Sequence, residues 1–166
     1  MNNKKIKNAI ACSVDGILFK SKLERLIYLN LKELGFKPQY EPTTFTLWFG
    51  GNSKTPFYDE ESKSQRDRRI KKGDNELSKM LIRKPDKMVD IKYTPDFYLK
   101  YKNLDVYIEV KSIENDVYYI KKKLFRKYLD NFLIHSGRHS IFFEVHSKKQ
   151  LLQAVDIFTQ YAKEIR

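Results

Sequence analysis

The sequence predicts an α/β domain in which a central mixed β-sheet is flanked by helices, in the order helix, three strands, helix, strand, helix (αβββαβα). Three observations predict it. Apolar residues recur at helical spacing within residues 21–34, 116–134 and 147–165. Stretches rich in β-branched and aromatic residues lie at 40–49, 93–100, 104–111 and 140–145. The strand–helix–strand run at the end calls for one parallel crossover in a mixed sheet.

Asp15-Gly16, set between Val14 and Ile17-Leu18-Phe19, predicts a tight turn in a small hairpin. Ser21-Lys22-Leu23-Glu24 opens the first helix, with Leu23, Ile27, Leu31 and Leu34 on one face and Gly35 as its stop. The run Tyr40 to Phe49 is read as a strand. Residues 50–90 change character: they start at Gly50-Gly51-Asn52-Ser53, carry charges of both signs and hold few apolar residues. They are read as an insertion in a single domain of residues 1–166, partly loop, with a short helix near Glu76–Ile82. Tyr93–Lys100 and Leu104–Lys111 follow as strands joined by a polar turn at Lys102-Asn103. The next helix shows Val117, Ile120, Leu124 and Tyr128 at helical intervals. The last, capped by Ser147, carries Leu151, Leu152, Val155, Phe158 and Ala162.

A chain of 166 residues is long enough to bury one real core. Lys plus Arg exceed Asp plus Glu by 33 − 21, a net charge of +12, while 41% of residues are hydrophobic and 14% aromatic. That composition excludes a disordered basic tail and describes a folded domain with a strong positive field. Such a field favours nucleic acid first and an anionic membrane surface second. No apolar stretch approaches the ~18–20 residues of a membrane-spanning helix. The basic start, Met1 to Lys7, precedes an apolar run of only Ala9-Ile10-Ala11-Cys12, well under the roughly 7–15 residues of an export signal. A cytoplasmic protein is expected. Cys12, the single cysteine, is read as a small buried apolar residue, and His135, His139 and His146 lack metal-ligand spacing.

Asp96, in Tyr93-Thr94-Pro95-Asp96-Phe97, is followed twelve residues later by Ile108-Glu109-Val110-Lys111. On a strand, Val106, Ile108 and Val110 share one face and Tyr107, Glu109 and Lys111 the other. Glu109 and Lys111 then stand about 7 Å apart along the strand, and the antiparallel neighbour brings Asp96 beside Glu109. Two adjacent carboxylates repel unless a divalent cation lies between them. Phosphodiester hydrolysis needs such an arrangement: Mg²⁺ at Asp96 and Glu109 offsets charge on the phosphate and acidifies a bound water. Lys111 would orient that water or oppose charge in the transition state. Glu24 is open between a third carboxylate of the metal shell and the partner of Ser21 in a capping box.

The segments Phe19-Lys20-Ser21-Lys22-Leu23-Glu24, Tyr93-Thr94-Pro95-Asp96-Phe97 and Ile108-Glu109-Val110-Lys111-Ser112 resemble the motifs of the PD-(D/E)xK nuclease superfamily. They are most similar to the phage endonuclease I type of Holliday-junction resolvase and to the A-subunit nucleases of heteromeric transposases. The resemblance covers residues 16–49 and 91–112, and the order of elements matches that fold. It implies a restriction-endonuclease-like core, metal-binding roles for Glu24, Asp96 and Glu109, and a catalytic role for Lys111. It also implies a Mg²⁺-dependent endodeoxyribonuclease, with Mn²⁺ able to substitute, acting on duplex or branched DNA. The intertwined resolvases make a homodimer one expectation, and a phage-encoded enzyme would act in the host cytoplasm. Gln39 stands where the phage resolvases carry a further acidic residue, with Glu41 close by. The segment 50–90 has no counterpart in the resemblance.

Two basic runs are open between solvated surface and nucleic-acid contact. Lys121, Lys122, Lys123, Arg126 and Lys127 follow the candidate strand on a helix and would form a phosphate-contacting ridge. Arg66, Arg68, Arg69, Lys71 and Lys72 would form an arm along the nucleic acid or a solvated loop. A non-catalytic nucleic-acid-binding module on the same fold is the alternative function, and a basic RNA-binding or ribosome-associated protein a third. Neither accounts as well for an intact Asp96…Glu109-x-Lys111 set.

Overall fold

A computed structural model describes residues 12–111 and 116–165, with the side chain of Cys12 outside that description. The expectations for residues 1–11, for burial of the Cys12 thiol and for Ser112 therefore lie outside the described residues. The protein is mixed α/β, with four helices, several sheets and no closed barrel among the described residues. The chain forms two compact units, Met1–Leu47 with Lys92–Arg166, and Trp48–Ile91.

The first unit begins with the hairpin β1 (Cys12–Val14) and β2 (Ile17–Phe19). Its turn places both Asp15 and Gly16 at positive φ, +52° and +76°, the geometry that Asp-Gly turns adopt at low cost. Helix α1 (Lys22–Glu33) is capped by Ser21. It closes with hydrogen bonds from Gly35 N–H to Lys32 and from Phe36 N–H to Leu31, a Schellman end. Ile27 and Leu31 of the predicted face are fully buried and Leu23 partly so, whereas Leu34 at the C-cap is exposed.

The expected strand over 40–49 divides into β3 (Gln39–Tyr40) and β4 (Phe45–Trp48), because Glu41 takes a positive φ of 44° and Pro42 follows it. The expected strand over 93–100 divides likewise into β9 (Ile91–Tyr93) and β10 (Phe97–Tyr101), since Pro95 has no N–H for a ladder. β11 (Leu104–Val110), α3 (Asp116–Ser136), β12 (His139–Val145) and α4 (Lys148–Glu164) complete the unit. The main sheet runs β12-β11-β10-β3, parallel between β11 and β12 and antiparallel elsewhere, and β4 pairs with β9.

All seven residues of β11 are buried, so the sheet is covered on both faces. Leu104, Val106, Ile108 and Val110 join α1 and α4 in one core, with Leu151, Ala154 and Phe158 supplying the α4 side. Tyr107 joins Tyr93 and the α3 residues Tyr118, Phe125 and Leu129 in the other. The buried face of α3 is therefore shifted from the one expected: Val117 and Ile120 are exposed, because the larger rings of Tyr118 and Phe125 take the positions against the sheet. In α4, Leu152 is also exposed, its place in the core taken by Ala154.

The second unit holds the ribbons β5 (Gly51–Asn52) with β8 (Lys87–Met88) and β6 (Tyr58–Glu60) with β7 (Leu81–Arg83), and the helix α2 (Lys63–Lys71). Gly50 is required there by close approach: a Cβ would lie 2.1 Å from the Met88 carbonyl oxygen. No residue of α2 is buried, so its start depends on the reciprocal Ser62–Gln65 capping box. The helix expected near Glu76–Ile82 is absent. Glu76 Oε1 takes the Ser78 N–H and hydroxyl and Asp74 Oδ1 takes the Glu76 N–H, local bonds that compete with helix formation before β7 begins.

Candidate active site

Glu24 sits in the first turn of α1 because Ser21 accepts its N–H at 3.1 Å, and its carboxylate returns to the cap. Oε1 accepts the Ser21 hydroxyl at 2.8 Å. Oε2 accepts the Tyr40 hydroxyl at 2.6 Å and the Lys20 N–H at 3.0 Å. Its side chain is buried, 7% exposed. Burial and the Glu24 carboxylate push the Tyr40 phenol well above its ordinary range. The β3–β10 ladder, with Phe97 opposite Tyr40, carries this corner to Asp96, whose carbonyl accepts the Glu41 N–H at 2.9 Å.

Asp96 Oδ2 accepts the Val110 N–H at 2.7 Å, which fixes the carboxyl against the end of β11. Burial, then the neighbouring charge of Glu109, push it up to about 8, the Val110 N–H opposes the rise, and Glu24 adds to it. Glu109, 4% exposed, accepts the Tyr93 hydroxyl at 2.7 Å and the Lys111 ammonium at 2.6 Å. Burial and then Glu109 raise the Tyr93 phenol far above its ordinary range. Lys111 thus folds back along its own strand face onto Glu109, and its ammonium lies 4.1 Å from the centre of the Tyr118 ring. A cleft of about 320 Å³ opens over Glu109 and Lys111, lined also by Tyr93, Tyr118 and Lys121.

The first unit therefore brings Glu24, Asp96, Glu109 and Lys111 to one end of the main sheet, from α1, the β9–β10 connection and β11. Lys20, Tyr40, Tyr93 and Tyr118 join them without having been singled out in the sequence. Lys20 pairs with Glu41 and feels the charges of Asp96 and Glu24. The donor set suits a hard divalent cation: it is all carboxylate oxygen, and Lys111 lowers the Asp96 carboxyl by less than burial and Glu109 raise it. Among the described residues, no three His, Cys, Asp or Glu side chains are gathered as a metal cage, and the Glu24 and Glu109 oxygens accept from protein donors.

The basic helix does not form a single ridge. Lys121 lines the cleft, Lys122 donates to Glu144 at 2.8 Å, and Lys123, Arg126 and Lys127 share an exposed stripe at i, i+3 and i+4. In the second unit, Arg66, Arg68, Arg69 and Lys71 lie on α2 and Lys72 caps it. Arg69 is committed to the buried Glu61 at 2.6 Å and to Asp74 at 3.0 Å. Its guanidinium holds the Glu61 carboxyl below the ordinary range. No helix among the described residues is long and apolar enough to cross a membrane. No family model, curated protein or solved structure matches the chain.

Two outcomes follow from this geometry. The raised Asp96 carboxyl binds a proton in the folded state that the unfolded chain releases at lower pH. Its contribution is fully present below about pH 4 and is lost as pH rises through about 8. Metal-free protein should therefore show a melting temperature that falls across that window. Asp96→Asn, which keeps an acceptor for Val110, should flatten the fall and melt higher than wild type at pH 8; an unchanged slope would contradict the assignment. Glu24→Gln separates cap from ligand. Loss of the cap alone costs about 0.5–2 kcal/mol with cleavage retained, whereas a ligand role leaves cleavage lost in a protein that still folds. Parallel melting and cleavage assays distinguish them, and loss of cleavage is expected.

Proposed function

We propose that the protein is a metal-dependent DNA endonuclease with a restriction-endonuclease-like core, acting on duplex or branched DNA in the cytoplasm. The observation that carries this reading is an open cleft lined by Glu109 and Lys111, with an Asp96 carboxyl that feels the charges of Glu109, Glu24 and Lys111, in a chain of net charge +12. Asp96 and Glu109 would hold Mg²⁺ or Mn²⁺, and Glu24 would join them only on leaving the bonds it accepts from Ser21, Tyr40 and Lys20. When bound there, the ion supplies positive charge against the phosphate and a water of lowered pKa.

The chain's own residues do the rest. Asp96 is oriented by Val110 N–H, and Glu109 by the Tyr93 hydroxyl, so both carboxylates are held before DNA arrives. Lys111 carries the ammonium that would oppose charge growing on the phosphate. Lys121 at the cleft and the Lys123, Arg126 and Lys127 stripe would bind flanking phosphates, giving a salt-dependent affinity. A Holliday-junction resolvase working as a homodimer is the most specific form of the proposal. Comparing cleavage of a four-way junction with that of its separate linear arms tests it: preferential cutting of the junction supports the resolvase, and equal cutting reduces the claim to a general endonuclease. The second reading is a non-catalytic nucleic-acid-binding module, favoured by the use of both Glu24 carboxylate oxygens by Lys20, Ser21 and Tyr40.

A further inference from the structure

At the other end of the same sheet face lies a cavity of about 250 Å³ that the proposed cleavage does not use. Its polar centre is Asp105 on β11, a carboxylate 3% exposed, four residues from Glu109 on the same side of the strand and hence about 13 Å away. The Tyr98 hydroxyl donates to Asp105 Oδ1 at 2.9 Å. Arg138 donates to Oδ1 at 2.8 Å and lies 2.7 Å from Oδ2. The Arg138 side chain is 50% exposed, so the guanidinium borders both the carboxylate and solvent. The Tyr98 and Tyr107 rings lie 5.3 Å apart, and Phe45 meets Tyr107 edge-on at 5.7 Å, at a cavity bordered also by Gln39.

A buried carboxylate is costly, and an apolar pair would fill such a position at no loss of stability. What Asp105 and Arg138 add is chemistry: an acceptor beside donors, against aromatic walls. The volume falls below the ~300–1,000 Å³ of sites for drug-sized ligands, which limits the occupant to a single small ring system. The guanidinium neutralises the carboxylate, so a phosphate chain passing the mouth is not repelled. Planar rings with mixed donor and acceptor edges, attached to a phosphate chain, are nucleobases, and their faces stack on tyrosine whatever their identity.

We propose that the Tyr98–Asp105–Arg138 cavity receives one unpaired nucleobase of a bound DNA strand. The inference rests on the nucleic-acid reading above for its partner class, but not on cleavage. An exocyclic amino group would donate to Asp105, and Arg138 would donate to a base carbonyl or ring nitrogen. A base drawn out of a branch or a single strand is available for this, whereas one in a continuous duplex must first be unstacked.

The test uses full-length protein in EDTA and a short single-stranded DNA carrying one 2-aminopurine, alongside the same strand with an abasic site there. Wild type should quench the 2-aminopurine fluorescence on binding and should bind the abasic strand about tenfold more weakly, the scale of one base–aromatic stack. Tyr98→Leu should lose the quenching. Arg138→Gln, which keeps an amide donor beside the buried Asp105 carboxylate, should lose most of the preference for the base over the abasic site, with thermal melting showing that the variant is folded. Equal binding of the two strands by wild type, or a base preference unchanged in Arg138→Gln, overturns the proposal, as does no detectable binding. Plasmid cleavage in Mg²⁺, measured separately, keeps the two claims apart: quenching without cleavage sinks the nuclease and leaves the cavity, and cleavage without base preference does the reverse.

Discussion

Glu109→Gln and Asp96→Asn are each expected to abolish Mg²⁺-dependent cleavage of DNA while leaving binding intact or tighter. The expected loss is on the order of 10³-fold or more, matching the several kcal/mol that metal charge stabilisation contributes. Binding should survive because neither change adds negative charge where phosphate must approach, and Glu109→Gln removes one from the lining of the cleft. The fold should survive too. An Asn at 96 still accepts from Val110 N–H, and a Gln at 109 still accepts from Tyr93. Single-turnover cleavage, with electrophoretic binding measured in parallel, checks both halves. Activity near wild type in either variant would remove that residue from the metal shell.

Lys111→Ala carries the second large effect. The Lys111 ammonium is held between Glu109 at 2.6 Å and the Tyr118 ring at 4.1 Å, at the cleft and not out in solvent. As a single transition-state donor it should account for about 10²–10³-fold in turnover. An ammonium is not a metal ligand, so Mn²⁺ binding should be kept and may be followed by isothermal titration. Lost Mn²⁺ binding would mean that Lys111 holds Glu109 in place, and unchanged turnover would return it to an ordinary ion pair.

Much of this was legible in the sequence because it is local. Alternation at Val106, Ile108 and Val110 marks the core face of β11, and Asp15-Gly16 marks the turn between β1 and β2. The twelve residues between Asp96 and Glu109 fit the antiparallel β10–β11 pair, with Asp96 just before β10 and Glu109 near the end of β11. What was not legible depends on partners far along the chain. Tyr40 reaches Glu24 only because β3 pairs with β10, and Tyr93 reaches Glu109 only once Pro95 has ended one strand and β10 has begun another. The phase of α3 was misread because spacing alone ranks Val117 with Tyr118, whereas the sheet takes the larger ring. The second unit has almost no apolar pattern. Its arrangement turns on one buried pair, Glu61 with Arg69, which no periodicity announces.

The account stands most directly on one measurement: nicking of supercoiled plasmid by wild type and by Glu109→Gln, each in Mg²⁺ and in excess EDTA. Cleavage by wild type in Mg²⁺ alone, with none by the variant in either condition, is the result predicted. Robust cleavage in EDTA, or equal cleavage by the Glu109→Gln protein, would contradict it, as would the absence of any cleavage by wild type in Mg²⁺ or Mn²⁺.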